Sequence, residues 1–370
     1  MSVDVRHEAL QTVTKPLQVE ERRQGAPILA VKKLRTCFDT YRGQVRAVDG
    51  ISLSVRPGET VALVGESGCG KSAAALSIMR LVPPPGRITG GQVIFDGQDL
   101  LALSRAEMRR IRGRRIAMVF QDPLTALNPT LRVGAQLVET LATQGAARGR
   151  AARQRAVALL DAVGIPAAAE RMRAYPHELS GGMRQRVVIA MAIAGQPDLV
   201  IADEPTTALD VTLQAQIMEL LAKLKEERGL AILLITHDLG IVANFADRAA
   251  VMYAGQIVAE GPVADLVREP LHPYARGLLR CVPRLGRPDV PIHPIHGSVP
   301  DMVAPPAGCR FAPRCPEAMP QCRQEMPVLK RQPPTARTIR QNSEGESLAR
   351  GGTVRRVRCH LHPGEGGNGR

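Results

Sequence analysis

The sequence predicts an α/β fold with a mostly parallel sheet, an antiparallel β edge and an inserted α-helical subdomain. Short apolar runs at 60–64, 199–202 and 230–236 are each followed by polar residues, which is typical of parallel strands buried on both faces. The first run leads into a glycine-rich loop and then an alanine- and leucine-rich helix. From about 131 to 195 the pattern is helical, and this stretch is the predicted subdomain.

Further strands are expected around these elements. An apolar pattern starts at Ile28–Val31 and resumes at Ala47–Val55, ahead of the glycine-rich loop. Residues 91–97 are typical of an edge strand that ends in an Asp-Gly turn. A short apolar run at 116–120 ends at Gln121 and predicts one more strand of the core sheet.

Length and composition indicate a globular protein of roughly two or three domains in 370 residues. The apolar fraction is 44%, and no apolar run approaches the ~18–20 residues that span a bilayer. Residues 1–27 are polar and charged without the apolar centre of a signal peptide, so we expect a disordered N-terminal segment. These features predict a cytoplasmic protein, or one held at a membrane by other subunits.

The formal net charge of +14 is concentrated in clusters such as Arg105–Arg115, which holds six arginines and one glutamate. Nucleic-acid binding uses such charge for phosphate contacts. However, only nine residues are Phe or Tyr and none is Trp, so bases would find few rings on which to stack. We therefore expect solvated faces near an anionic membrane surface and no nucleic-acid partner.

The glycine-rich loop at 65–72, Gly-Glu-Ser-Gly-Cys-Gly-Lys-Ser, fits the phosphate-loop pattern. Its glycines let backbone N–H groups point at phosphate oxygens beside the start of a helix. The Lys71 ammonium can reach the β- and γ-phosphates, and the Ser72 hydroxyl can bind Mg²⁺. The predicted nucleotide-binding residues of this loop are Gly65, Ser67, Gly68, Cys69, Gly70, Lys71 and Ser72.

Tyr41, upstream of the loop, is a candidate to stack on a purine base. An exposed loop tyrosine is the plainer interpretation, and Arg42 or Phe38 could take the same role.

Two carboxylates follow the apolar strand at 199–202. Open α/β sheets bind ligands at the carboxyl ends of their strands, so Asp203 should emerge near the phosphate loop, where a nucleotide's Mg²⁺ needs an anionic ligand. Glu204 points to the other side and can orient or deprotonate the attacking water. The pair predicts nucleotide hydrolysis.

A second glycine-rich stretch, Ser180-Gly181-Gly182-Met183-Arg184-Gln185, precedes a helix. Ser180 is a plausible N-cap, and the glycines leave backbone N–H groups uncovered for an anion. One nucleotide has one phosphate chain, so we expect this loop to close on a nucleotide held by another subunit.

These motifs together resemble those of ABC-type ATPases. Residues 179–185 resemble the family's signature motif, Gln121 its Q-loop glutamine, Ala208-Leu209-Asp210 its D-loop and His237 its switch histidine. The resemblance implies a P-loop ATPase that works as a head-to-tail pair with two ATP molecules between the subunits. It also implies roles: Glu204 as general base, Asp203 and Gln121 at Mg²⁺, and His237 at the γ-phosphate. The loop that contacts nucleotide in trans would comprise Ser180, Gly181, Gly182, Gln185 and Asp210.

Other segments resemble a narrower group, the ATP-binding subunits of oligopeptide and dipeptide importers, which also includes nickel importers. Residues 120–129 are similar to that group's Q-loop region, and residues 271–279, 282–285 and 306–322 to its C-terminal extension. We therefore expect an ATPase domain at 28–265 and an extension at 266–370. The implied partners are two membrane permeases, an extracytoplasmic solute-binding protein and a second related ATPase, with a homodimer as the alternative.

Four of the seven cysteines lie in the extension: Cys309, Cys315, Cys322 and Cys359. Their spacing contains no Cys-x-x-Cys pair, so it leaves free thiols and a four-thiolate metal site equally open. Members of the peptide-importer group can carry a [4Fe–4S] cluster here, and these four positions resemble its ligands. A zinc site, with His360 as a candidate ligand, is the alternative.

The resulting hypothesis is an ATPase that drives peptide import from the cytoplasmic face of the membrane. An ATPase of a nickel or other small-solute importer is the nearest alternative. A soluble ABC ATPase that acts on nucleic acid or ribosomes is less favoured, because such proteins usually carry two cassettes, long coiled coils or zinc modules.

Overall fold

The structure is a computed structural model that describes residues 26–207, 209–281, 293–333, 339–341, 347–349 and 354–362. Most of the predicted disordered segment 1–27 lies outside these residues. So do Ala208 of the predicted D-loop and the 282–285 part of the C-terminal resemblance.

The strands of the described residues are β1 (Leu29–Thr40), β2 (Gly43–Val55), β3 (Thr60–Val64), β4 (Gly86–Phe95), β5 (Gln98–Asp99), β6 (Ile116–Val119), β7 (Leu199–Asp203), β8 (Ala231–Thr236), β9 (Arg248–Tyr253), β10 (Gln256–Pro262), β11 (Lys330–Gln332), β12 (Ile339–Gln341), β13 (Ser347–Ala349) and β14 (Arg355–Val357).

The α-helices of the same residues are α1 (Lys71–Ile78), α2 (Arg105–Ile111), α3 (Pro123–Ala126), α4 (Val133–Thr143), α5 (Gly149–Ala162), α6 (Ala168–Arg171), α7 (Gly181–Ile193), α8 (Val211–Arg228), α9 (Leu239–Phe245), α10 (Val263–Arg268), α11 (Pro273–Arg280) and α12 (Pro320–Gln324). None of them is long and apolar enough to cross a bilayer.

The chain forms two compact units. Unit 1 contains Val55–Glu59 and Ala102–Leu233, and unit 2 contains Leu29–Ser54, Thr60–Leu101 and the chain from Leu234 onward. The predicted domain boundary at 265/266 falls inside unit 2, so the residues of the extension pack with the phosphate loop in one unit. As a division between modules, that boundary stays a prediction.

Unit 2 is built on two sheets. In one, β1 pairs antiparallel with β4, β4 pairs antiparallel with β5, and β2 flanks β1. In the other, β3 runs parallel to β9, and β9, β10, β14 and β11 continue antiparallel. The buried face of this second sheet packs against an aromatic cluster of Tyr253, Tyr274 and Phe311, with ring centroids 4.6–5.3 Å apart.

Unit 1 combines helices with the parallel pair β6 and β7, whose register matches Ile116 with Leu199 and Val119 with Ala202. All five residues of β7 are buried, as its apolar run at 199–202 predicts for the first four, and the fifth is Asp203. Helices α4 to α7 occupy residues 133–193 and contain no strand among them, which confirms the predicted helical stretch.

The predicted fold class is confirmed: parallel strands, an antiparallel sheet and an inserted set of helices are all present. The predicted strand at 60–64 matches β3, and those at 199–202 and 230–236 match β7 and β8 within one residue. Strands β9, β10, β11 and β14 were not predicted, and they make the unit 2 sheet more antiparallel than expected.

Candidate functional site

The phosphate loop follows β3 directly and ends where α1 begins at Lys71. Gly70 has φ of +106°, and a Cβ there would overlap the carbonyl oxygen of Ala47, so only glycine fits. Lys71 is 4% exposed, and its ammonium donates to the carbonyl oxygens of Gly65 at 2.7 Å and Glu66 at 3.0 Å. These contacts curve the loop around the lysine side chain.

Cys69 is a packing residue of this loop. Its side chain is 1% exposed, and burial raises the pKa of its thiol. A raised pKa and lack of access both lower thiol reactivity, so the loop offers no exposed reactive cysteine at this position.

Tyr41 lies in the turn between β1 and β2 and is 99% exposed. Its neighbour Arg42 forms an exposed ion pair with Asp301 at 3.0 Å, and the half-buried Phe38 ring covers Gly86. Of the three residues considered for base stacking, Tyr41 therefore has the most exposed side chain.

The predicted carboxylates lie at the end of β7 in unit 1. Asp203 is the last strand residue and is 5% exposed. Glu204 follows with φ of +46°, a left-handed conformation that is unusual for a side chain other than glycine. Its Oε2 accepts hydrogen bonds from Gln121 Nε2 at 3.1 Å and Thr207 Oγ1 at 2.9 Å. The structure thus brings together Gln121 and Glu204, which are 83 residues apart in sequence.

The predicted trans-contact loop forms the start of α7. Ser180 Oγ accepts from Met183 N at 3.3 Å, which confirms the predicted N-cap. Gly181 is exposed, whereas a Cβ on the buried Gly182 would lie 2.9 Å from a Leu213 methyl group. Helix α8, which carries Leu213, is capped by Asp210 through Leu213 N at 2.9 Å. The signature loop and the D-loop residue therefore lie side by side in unit 1.

Gln185 is buried like Gly182. Its side chain is 2% exposed and turned into the interior of unit 1, one helical turn past Gly181. The exposed residues of the predicted trans-contact set are Ser180, Gly181 and Asp210.

His237 follows β8 and is exposed. Asp238 caps the next helix, α9, by accepting from the backbone N–H groups of Gly240 at 2.7 Å and Ile241 at 3.3 Å. This cap ends the strand and leaves His237 at the turn between β8 and α9.

The four cysteines of the extension line one cavity in unit 2, together with His272, Phe311 and His360. Cys309 N donates to Cys322 O at 2.8 Å, which joins two of the segments that carry them. Burial, reinforced by the other three thiols, raises the pKa of Cys359 to about 11. Within the described chain, no three Cys, His, Asp or Glu side chains have a metal-binding arrangement. The four thiols share one cavity, and the metal site predicted from the sequence stays a prediction.

The sequence interpretation did not include residues of the extension among those near the phosphate loop. Tyr274 Oη accepts from Glu66 N at 2.9 Å, and the Arg314 guanidinium donates to both Glu66 carboxylate oxygens at 2.7 and 3.0 Å. These pairs are 208 and 248 residues apart in sequence, and no local pattern marks them.

Two family profiles match the chain. One is described as ABC transporter and covers residues 48–207. The other is described as oligopeptide/dipeptide transporter, C-terminal region, and covers residues 258–322. The second match includes three of the four cysteines that line the cavity.

Curated relatives match most of the chain. The dipeptide transport ATP-binding protein DppD of Bacillus subtilis is 53% identical over 293 residues, which are 79% of this chain and 88% of that protein. The oligopeptide transport ATP-binding protein OppD of the same organism is 52% identical over 294 residues, 79% of this chain and 82% of that protein.

Two solved structures of ABC transporter proteins have a similar fold. The ATP-binding cassette MJ0796, solved as a dimer bound to ADP and Pi, has a TM-score of 0.58 at 31% identity and covers 64% of this chain and 98% of its own. Clostridium perfringens cbiO1, part of the ABC transporter complex cbiONQ, has a TM-score of 0.56 at 28% identity and covers 66% of this chain and 92% of its own.

Proposed function

This chain belongs to the ATP-binding subunits of ABC transporters, and we propose that its ATPase activity energises the import of di- and oligopeptides across the cytoplasmic membrane. The observation that carries the proposal is the match of residues 258–322 to the C-terminal region of oligopeptide and dipeptide transporters. The two Bacillus subtilis relatives, named for dipeptide and oligopeptide transport, support it.

The residues of unit 2 bind the nucleotide in this proposal. Lys71, Ser72 and the loop amides hold the phosphates, and Tyr41 stacks on the base. When ATP binds, the Lys71 ammonium exchanges its two carbonyl partners for phosphate oxygens, since charge-assisted hydrogen bonds to phosphate are stronger than bonds to neutral carbonyls. His237 contacts the γ-phosphate.

The residues of unit 1 bind Mg²⁺ and activate the attacking water in this proposal. Asp203 at the end of β7 and Gln121 would supply the oxygen ligands that Mg²⁺ prefers, as would Ser72 of the phosphate loop, and the bound cation would neutralise phosphate charge. Glu204 takes the proton of the attacking water. The hydrogen bonds from Gln121 and Thr207 fix the orientation of its carboxylate.

A second ATPase completes each site. Ser180 and Gly181 at the start of α7 offer uncovered backbone N–H groups at the positive end of a 13-residue helix. In a head-to-tail pair, this surface would meet the γ-phosphate of the nucleotide on the other subunit, and Asp210 would lie beside it. The partner is a related ATPase of the same importer, or a second copy of this chain.

The importer supplies the remaining partners: two permeases and an extracytoplasmic solute-binding protein. In such an assembly, this chain would sit at the cytoplasmic face of the membrane, and peptide selection would lie with the permeases and the binding protein.

We also propose that Cys309, Cys315, Cys322 and Cys359 hold a [4Fe–4S] cluster, with zinc as the alternative. Their convergence on one cavity supports this assignment. A bound metal group would stabilise the thiolates, whose formation burial otherwise opposes. Arg358, whose charge acts on Cys309, would help to balance that negative charge. His360 Nε2 already contacts Glu325 O at 3.0 Å, so a zinc site would use its Nδ1.

Metal content tests the cluster assignment. Protein purified without oxygen should contain iron and labile sulfide, and Cys322→Ser should lose both. Cys281→Ser removes a cysteine outside the cavity and should keep them. Zinc without sulfide would favour the alternative, and the lack of both metals would overturn the assignment.

A pull-down tests the transport function. Tagged protein isolated from membranes in mild detergent should carry two polytopic permeases and a related ATPase, identified by mass spectrometry. A solute-binding protein encoded with them would provide the means to compare peptides with nickel. Recovery with ribosomal or DNA-repair proteins would overturn peptide import but leave the ATPase chemistry intact.

A further inference from the structure

Glu66 of the phosphate loop is held at three points. Its backbone N–H donates to Tyr274 Oη, and its carbonyl oxygen accepts from the Lys71 ammonium at 3.0 Å. Its carboxylate accepts two hydrogen bonds from the guanidinium of Arg314, at 2.7 and 3.0 Å. Two of the three holding groups, Tyr274 and Arg314, belong to the C-terminal extension.

Arg314 is itself fixed. Its side chain is 4% exposed, and it also donates to the carbonyl oxygens of Ile295 at 3.0 Å and His296 at 2.9 Å. The guanidinium carbon lies 5.8 Å from the centre of the Tyr253 ring. A planar donor held by so many contacts imposes one orientation on the carboxylate that it binds. Consistent with this, the bond to Glu66 raises the pKa of Arg314.

The pair matters because Glu66 lies in a loop that must receive a polyanion. A carboxylate without a partner at this position would repel the phosphates, and a loop without its anchors would need to be ordered on binding. We propose that Arg314 is a positioning residue of the ATP site, which neutralises Glu66 and fixes the phosphate loop in its binding conformation.

The same contacts join the phosphate loop to the walls of the cysteine cavity. In the sequence, Arg314 stands between Phe311 and Cys315. Tyr274 is the second residue of α11, and His272 caps that helix. Phe311, Cys315 and His272 all line the cavity. The segments that anchor the phosphate loop therefore also form part of the wall of this cavity.

A double-mutant cycle tests the proposal. We would measure the dissociation constants of MgADP and of Mg²⁺ with the β,γ-imido analogue of ATP, by calorimetry, for Arg314→Met, Glu66→Gln and the double variant. Arg314→Met should weaken binding about tenfold, within the usual range for coupled sites. In the Glu66→Gln background, the same substitution should change affinity less than about twofold, because the carboxylate that it neutralises is gone.

Two further variants separate this role from a general effect on folding. Arg276→Met removes another arginine of the extension, which forms an ion pair of 2.9 Å with Glu317 and not with the phosphate loop. Its nucleotide affinity should therefore stay within about twofold of wild type. Arg314→Lys keeps the charge but loses the two-pronged contact, and its affinity should lie between wild type and Arg314→Met.

Equal losses of affinity from Arg314→Met in both backgrounds would overturn the proposal, because Arg314 would then act through the fold of the extension and not through Glu66. An unchanged affinity in the wild-type background would also overturn it. The readout is nucleotide affinity of the ATPase alone, so neither result depends on which solute is transported.

Discussion

The side-chain amide of Gln121 donates a hydrogen bond to Glu204 at 3.1 Å, which joins the proposed Mg²⁺ ligand to the proposed base. Thr207 Oγ1 donates to the same carboxylate oxygen at 2.9 Å. Because Nε2 makes this contact, the amide oxygen Oε1 is the end of Gln121 that would bind Mg²⁺. One side chain would then both orient the proposed base and hold the proposed metal ion.

Replacement of Glu204 by Gln should abolish hydrolysis but preserve ATP binding. The amide keeps the size of the side chain but cannot accept the proton of the attacking water, so the turnover rate should fall at least ~10²-fold. Phosphate release and the affinity for MgATP would be measured on the same preparation. Glu226→Gln, an exposed acid on α8 in the same unit, is the matched control and should keep wild-type turnover. Wild-type turnover in Glu204→Gln would refute the base assignment.

An acid at Gly181 should prevent ATP-dependent pairing of subunits. Gly181 is exposed, and a Cβ there meets only a Leu209 methyl group at 3.6 Å, so Gly181→Asp fits the fold. A carboxylate near a helix N-terminus is favourable for stability, but in a dimer it would face the γ-phosphate of the second subunit. In the Glu204→Gln background, gel filtration with MgATP should show pairing that Gly181→Asp removes.

The control for this experiment is Ala135→Asp, which adds the same charge at an exposed first-turn position of α4 in the same unit. It should leave pairing intact. If both variants pair normally, Ser180 and Gly181 do not face a nucleotide, and the trans assignment of this loop fails.

The core strands and the ATP motifs were predictable because their signals are local. A parallel strand buried on both faces has consecutive apolar residues, and the first four residues of β7, Leu199–Ala202, show this in the sequence itself. The phosphate loop needs glycine where the backbone adopts positive φ or meets another segment, as at Gly70. Ser180 was predictable as an N-cap for the same reason, since a cap contacts only the next turn of its own helix.

The anchors of the phosphate loop were not predictable because their partners are distant in sequence. Nothing around Arg314 indicates that it binds a carboxylate 248 residues earlier, and Glu66 occupies a free position of its motif. Gln185 shows a different limit of motif matching. The motif assigns this residue to the signature loop, but its position on α7 turns its side chain into the core.

Removal of the Tyr41 ring should weaken ATP binding if that ring stacks on the base. Stacking of a base on an aromatic side chain contributes ~1–3 kcal/mol, so Tyr41→Ala should lose about fivefold or more in affinity. Tyr41→Phe keeps the ring and should bind like wild type. Because Tyr41 is fully exposed, neither change should alter the melting temperature. Unchanged affinity in Tyr41→Ala would show that this ring does not stack on the base, and Arg42 and Phe38 would then be the residues to replace next.

Acid should destabilise the extension through His272. This side chain is 1% exposed, and its Nδ1 accepts from Tyr274 N at 3.0 Å, which caps α11. Burial, with the nearby charge of Arg276, lowers its pKa to about 3 from an ordinary value of 6.5. The unfolded chain therefore binds a proton between these values and the folded protein does not, so this contribution to stability is complete above pH 6.5 and is lost as the pH falls toward 3.

The expected loss is ~1.4 kcal/mol per pH unit once the pH is well below 6.5, or about 2 kcal/mol between pH 6.5 and 4.5. His272→Asn can still accept from Tyr274 N but does not titrate, so it should be less stable at pH 7.5 and lose less stability on acidification. Urea unfolding at pH 7.5, 6.0 and 4.5 would measure both. His293→Asn, at an exposed position in the same extension, should retain the wild-type pH dependence. Parallel losses in wild type and His272→Asn would mean that acid acts on stability through groups other than His272.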